Sequence, residues 1–246
     1  NEEERLQVVR EMSSQSQVGV EAGTLAPWLR DGGSVLLDWG DRAGAEAMWE
    51  QLSHLAQRTN DANLLVNSVY ARPVLAYLDG HLAEAVSGAD DLLRTADELG
   101  APVLGRRNAA LLSWRPLLHV GRGEEALAAL GEAPGLADLD RFAIGREVHR
   151  VLLRAHLGQT GEAREALQGP MAEPRFGIED ENLYTSMLME LLETAILVGD
   201  RELFSALAER LAPAANLSTA VTPGLILTCP ARHLGAAAAL LGEPDK

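Results

Sequence analysis

The sequence predicts an all-α chain, a solenoid of helical hairpins, and three observations carry that prediction. Ala, Leu and Gly dominate the 246 residues while aromatic residues make up only 4%, a composition suited to closely packed helices in which small residues let backbones approach. Apolar residues recur at helical spacing, as in Ile144, Val148, Val151, Leu152 and Ala155, which form one amphipathic stripe. A Glu-Ala dipeptide just after a Gly-containing turn recurs at Glu46-Ala47, Glu84-Ala85, Glu125-Ala126 and Glu162-Ala163, in steps of 38, 41 and 37 residues. Periods of this size mark stacked repeats.

Taken in chain order, the first 33 residues fit the repeat poorly and form an N-terminal flank; the hairpins occupy 34–246 of a single domain spanning 1–246. The apolar run 34–37 is short enough to be extended but stands beside helix-start signals. The turns are Gly40-Asp41-Arg42, Asp79-Gly80-His81, Gly121-Arg122-Gly123, Gly158-Gln159-Thr160-Gly161 and Gly199-Asp200-Arg201, with a degenerate Glu202-Leu203 after the last. A sixth turn begins at Gly242, in a repeat that stops incomplete. First helices are expected over 63–78 and 106–120, each ended by a Gly able to take positive φ, and second helices over 82–99 and from 163. The small residue at 47, 85, 126 and 163 is expected where the two helices of a hairpin cross. Pro73 and Pro116 fall inside expected first helices and predict kinks there. Pro230 reads as a first-turn proline. The Pro-bearing stretches 131–139 and 168–180 read as linkers between hairpins, and 225–228 is a second short apolar run.

Lys and Arg total 21 against 36 Asp and Glu, a net charge of −15, which argues against a segment that binds nucleic acid by phosphate neutralisation. The single cysteine, Cys229, can make neither an internal disulfide nor a Cys-based zinc site, and reads as a structural thiol. No stretch approaches the roughly 18–20 apolar residues of a membrane span, and Asn1-Glu2-Glu3-Glu4 does not open a signal peptide. A cytoplasmic setting is the expectation. The chain opens without Met and stops at Lys246 in mid-pattern, so it reads as a piece of a longer protein.

Trp49-Glu50-Gln51-Leu52-Ser53-His54-Leu55-Ala56, Tyr77-Leu78-Asp79-Gly80-His81-Leu82-Ala83-Glu84-Ala85 and the segment from Ala231-Arg232-His233-Leu234-Gly235 to Leu240-Leu241-Gly242 resemble the divergent tetratricopeptide-like (TPR) repeats of large bacterial signalling proteins. Those include adenylate-cyclase-type proteins and LuxR-type regulators with an AAA or signal-transduction ATPase domain. The resemblance runs from about residue 38 to the end. It implies a right-handed α-solenoid of about five to six TPR-like hairpins of 37–43 residues. It also implies a non-catalytic interaction or regulatory scaffold whose chemistry resides in attached effector domains of the same chain. The units are longer than the 34-residue consensus, so no ligand contact carries over.

Charge divides unevenly between the helices. Arg72, then Arg106, Arg107 and Arg115, then Arg146, Arg150 and Arg154 stand on first helices, whereas Glu84, Asp90, Asp91, Asp97, Glu98, Glu124, Glu125, Glu162 and Glu165 stand on second ones. In arrays of the kind this chain resembles, first helices line the concave groove. The candidate binding residues are therefore Arg72, Arg107, Trp114, Arg115, His119, Arg146, Arg150 and Arg154, facing an acidic protein or peptide partner. The competing expectation for the arginines is a solvated face that pairs with neighbouring acidic helices. A second functional reading is a ligand-sensing receptor that holds a small anionic molecule or peptide where Trp114, His119 and Arg150 converge. Arg146, Arg150 and Arg154 are the sharpest element, since like charges at i, i+4 repel by a few tenths of a kcal/mol each and something must tolerate or use them.

No metal or cofactor is expected. His149 and His156 could share a helix face but lack the third and fourth ligands of a metal site. Asp90-Asp91 with Asn182, Ser186 and Glu190 is similar to the metal-binding motifs of terpene synthases. However, Arg94 stands where a further acidic residue belongs and Leu183 where an Asp belongs, and an ordinary amphipathic helix accounts for the second set.

Overall fold

The computed structural model describes residues 2–132, 140–168, 185–219 and 228–243, the side chains of 140–144 excepted. Among the described residues it is helical throughout, without strands. The helices are α1 (Glu2–Ser13), α2 (Ala22–Asp38), α3 (Arg42–Thr59), α4 (Ala62–Ser68), α5 (Ala71–Leu78), α6 (Leu82–Glu98), α7 (Pro102–His119), α8 (Gly123–Glu132), α9 (Asp140–His156), α10 (Thr160–Gln168), α11 (Thr185–Val198), α12 (Arg201–Leu211) and α13 (Pro230–Leu241), with a 3-10 turn, Ala212–Ala214, after α12. The apolar run 34–37 lies buried inside α2 rather than extended, because Leu29 and Leu36 continue one helical stripe across it. Pro230 occupies the first turn of α13, as expected. The linkers at 133–139 and 169–180, residues 225–227 and Asn182 lie outside the described residues.

One hydrogen-bond motif ends helix after helix. At the α9–α10 turn Gly158 takes φ +82°, its N–H donates to the Ala155 carbonyl, and the next N–H, of Gln159, donates to the Arg154 carbonyl. These paired bonds satisfy the last carbonyls of the helix and require a left-handed residue, which glycine supplies without a Cβ clash. The same pair of bonds recurs at Gly40, Gly80, Gly100, Gly121, Gly199 and Gly242, all at positive φ. Five residues past six of these glycines lies the first residue whose N–H closes the next helix: Ala45, Ala85, Gly105, Ala126, Ala163 and Phe204. Ala45, Ala85, Ala126 and Ala163 have no solvent exposure.

This geometry corrects the repeat register at both ends. Ala47 is exposed, and the buried small residue of the first hairpin is Ala45, in phase with its glycine. In the fifth, Phe204 rather than Leu203 holds the position.

The chain divides into two compact units, between Pro116 and Leu117. In unit 1 α2 packs on α3, α3 on α4, α2 and α6 on α4, and α5 on α6. Its core contains Leu29, Leu52, Val66, Val74 and Leu92. Trp49 is fixed there by an Nε1–H donated to the Arg30 carbonyl at 3.0 Å and an edge-on contact with Tyr70, ring centroids 5.8 Å apart. Gly33 leaves the indole its space, since a Cβ there would stand 2.3 Å from Nε1. The expected first helix over 63–78 is in fact two. α4 stops at Ser68 and α5 starts at Ala71, placing Pro73 in a first turn. There its missing N–H costs nothing and its ring meets no helical carbonyl of Val69. Pro116, by contrast, does lie inside α7.

In unit 2 α8 and α10 pack on α9, α9 and α10 on α11, α11 on α12, and both α11 and α12 on α13. α11 is buried nearly all round, including Met189, Leu191, Leu192 and Ala195, as befits a helix with neighbours on several sides.

Candidate functional site

α9 is built to hold two faces apart. Val148, Val151, Leu152 and Ala155 are buried, and helical spacing therefore sends Arg146, Arg150 and Arg154 along its flank. Arg150 donates from Nη1 to Glu147 at 3.1 Å. Arg154 lies 3.8 Å from the same carboxylate and 3.6 Å from Glu162 on α10. Glu147 thus bridges two arginines. Arg146 makes no hydrogen bond or ion pair among the described residues, and the Nε–H groups of both Arg146 and Arg150 are buried without an acceptor.

The remaining predicted residues do not share one environment. Arg72 on α5 is 68% exposed and pairs with Asp91 of α6 at 3.3 Å, so it belongs to an ion pair within its own hairpin. Arg107 on α7 is half-buried; burial, and then the nearby charge of Arg30, push its guanidinium below the ordinary value. Trp114 is fully buried and Arg115 is 1% exposed, with the Arg115 guanidinium 5.0 Å from the indole centroid. That cation–π contact is internal and presents no open face. His119, at the end of α7, is exposed. Asp91 is occupied by Arg72 and Arg94. Ser186 and Glu190 are buried in α11.

Sequence reasoning did not join two histidines to their partners. His149 Nδ1 lies 2.5 Å from Glu190 Oε2, with side chains 1% and 0% exposed. Among the described residues the second Glu190 oxygen has no hydrogen-bond partner. One turn of α11 further on, His156 Nε2 lies 2.9 Å from Glu193. The two pairs, at i, i+7 on α9 and i, i+3 on α11, tie these helices along their length. The available signal was a lone carboxylate inside the apolar run Met187-Leu188-Met189-Glu190-Leu191-Leu192, since a buried Glu demands a partner. Among the described residues no three His, Cys, Asp or Glu side chains gather as a metal site would require.

Side-chain links between hairpins repeat at the sequence period. Arg30 reaches Asn67 at 3.2 Å and Arg42 reaches Asp79 at 2.5 Å, each 37 residues on. His156 and Glu193 are also 37 apart, His149 and Glu190 41 apart. Arg164 donates to the Val198 carbonyl 34 residues on, and Arg201 to the carbonyls of Leu240 and Leu241 at 2.9 and 3.0 Å, separations of 39 and 40. Among the described residues no helix is long and apolar enough to cross a membrane. Compared with protein-family models, curated proteins and solved structures, the chain matches none.

Proposed function

We propose that the chain is a non-catalytic interaction and regulatory segment of a larger bacterial signal-transduction or transcription-regulating protein. In this reading its units are built from TPR-like hairpins stacked as in a right-handed α-solenoid. The segment works in the cytoplasm, binds an acidic protein or peptide, and leaves nucleic-acid contact and catalysis to attached domains. The observation that supports the reading best is the recurrence, every 34 to 41 residues, of a side-chain link from one hairpin to the next. Arrays whose repeats contact chiefly their neighbours offer extended surfaces and respond to a partner by favouring one curvature. Binding would then bias the attached domains by differential affinity.

The arginines of α9 give that surface its charge preference. The alternative of a small-molecule sensor centred on Trp114 gains no support, because that indole is fully buried. Calorimetric titration of the whole chain with a Glu-rich peptide, at low and high salt, tests the reading. Saturable, salt-sensitive binding that an Arg146→Glu/Arg150→Glu variant loses is the expected result. No binding at low salt would overturn an acidic partner.

A further inference from the structure

We propose that Arg146 and Arg150 form a binding site for a phosphate monoester group. The inference rests on the reading of α9 as a partner-binding face, and it names the chemistry recognised there. Arg146 and Arg150 stand one turn apart, so their side chains are neighbours on the helix surface. Both are only partly exposed, and each buries an Nε–H with no acceptor. Such a guanidinium has lost part of its hydration, and among the described residues Arg146 gains no counter-charge for it while Arg150 shares Glu147; an anion at the exposed Nη edge supplies the missing charge.

The carboxylates in reach among the described residues do not supply it. Glu147 takes Nη1 of Arg150 and sits beside Arg154, while Glu162 serves Arg154 alone. Among the described residues Arg146 is left as an uncompensated cation at one end of the stripe. The occupant must therefore bring charge and acceptors to two guanidinium groups at once. A phosphate monoester carries about −1.5 to −2 charges and three acceptor oxygens arranged about one atom, which suits donors approaching from two successive turns. A carboxylate brings one charge and a single planar pair of oxygens, a role Glu147 already fills between Arg150 and Arg154. The chain's net charge of −15 gives anions no general attraction, so affinity has to arise locally.

The test titrates the whole chain with O-phosphoserine at constant ionic strength, followed by phosphorus NMR and calorimetry, with acetate as the carboxylate control. Saturable phosphoserine binding is expected, with acetate at least about tenfold weaker. Arg146→Gln and Arg150→Gln should each weaken phosphoserine binding about tenfold or more, the range for a charge-assisted hydrogen bond. Glu147→Gln should tighten it by removing a competing carboxylate, an effect no loss of folding could mimic. Arg106→Gln, an exposed arginine of α7, should leave it unchanged.

A phosphoserine peptide bound more than tenfold tighter than free phosphoserine would support the site and identify a phosphoprotein as source. Equal affinities would support it with a free phosphate ester as source. Wild-type chain that shows no saturable phosphoserine binding, or binding unaffected by Arg146→Gln and Glu147→Gln, overturns the phosphate site. If the Glu-rich peptide still binds in that case, the partner-binding reading stands without it.

Discussion

In unit 1 a charged pair that joins one hairpin to the next stands at the surface, where Arg42 forks onto Asp79. In unit 2 the corresponding link is the buried His149–Glu190 pair, and beside it lie two arginines with desolvated, unsatisfied Nε–H groups. Links between hairpins in the two units are thus of opposite cost. Exposed ion pairs exchange water for one another at little net gain. A buried pair has surrendered hydration on both sides and holds only while both members are present.

The sharpest way to break the comparison is to remove one member of the buried pair. His149→Ala or Glu190→Ala should each cost about 3–5 kcal/mol, read as a drop in urea midpoint. The double replacement His149→Leu/Glu190→Met should cost far less than the sum, and a double-mutant cycle measures the coupling. In unit 1 the large effect belongs to an aromatic residue instead. Trp49→Ala removes a core indole together with its hydrogen bond and edge-on contact with Tyr70, for about 3 kcal/mol or more.

Backbone substitutions are smaller and differ in sign. Gly158→Ala forces a Cβ into the left-handed region and should cost about 1–2 kcal/mol. Gly235→Ala, inside α13 with open space where the methyl would sit, should stabilise by about 0.5–1 kcal/mol.

The smallest effect expected is at Asp79. Its carboxyl is held below the ordinary carboxylate range by the hydrogen bond from Arg42. A depressed native pKa contributes stability above the unfolded value and loses it as pH falls through the native one. The slight advantage of wild type over Asp79→Asn should accordingly be present at neutral pH and vanish in acid, which denaturation at the two pH values would show.

The parts of this fold that the sequence disclosed were those set by local backbone chemistry. Gly40, Gly80, Gly121, Gly158, Gly199 and Gly242 were all readable as turn glycines because a left-handed helix end excludes most other residues. Positions set by phase against those glycines were less legible. Glu46-Ala47 matches the dipeptide pattern, but depth of burial follows distance from the turn, and Ala45 is the residue at the right distance. Pro73 misled for a related reason: a proline inside an apolar periodic run looks like a kink, and only the start of α5 at Ala71 turns it into a first-turn residue.

Among the candidate site residues, the α9 arginines were legible from spacing alone. Their division into Arg154, which is paired, and Arg146, which has no pair among the described residues, depends on where Glu147 and Glu162 fall. The burial of Trp114 and Arg115, and the meeting of His149 with a carboxylate 41 residues away, arise from tertiary packing, to which single-helix periodicity is blind.

The helix-ending motif also makes the chain editable in whole steps. Both bonds at each turn come from the glycine and the residue after it, and the next helix is counted from the same glycine. Deleting residues 41–80 would join Gly40 directly to His81, letting the His81 N–H take the Leu36 carbonyl that Asp41 takes now. Ala85 would fall five places after Gly40, where Ala45 stood. A cut of any other phase would leave a turn without its cap or a bulky side chain at a helix crossing. Length in this protein is therefore quantised, and the smallest piece it can gain or lose while keeping every turn intact is the interval from one turn glycine to the next, as short as the single helix between Gly80 and Gly100.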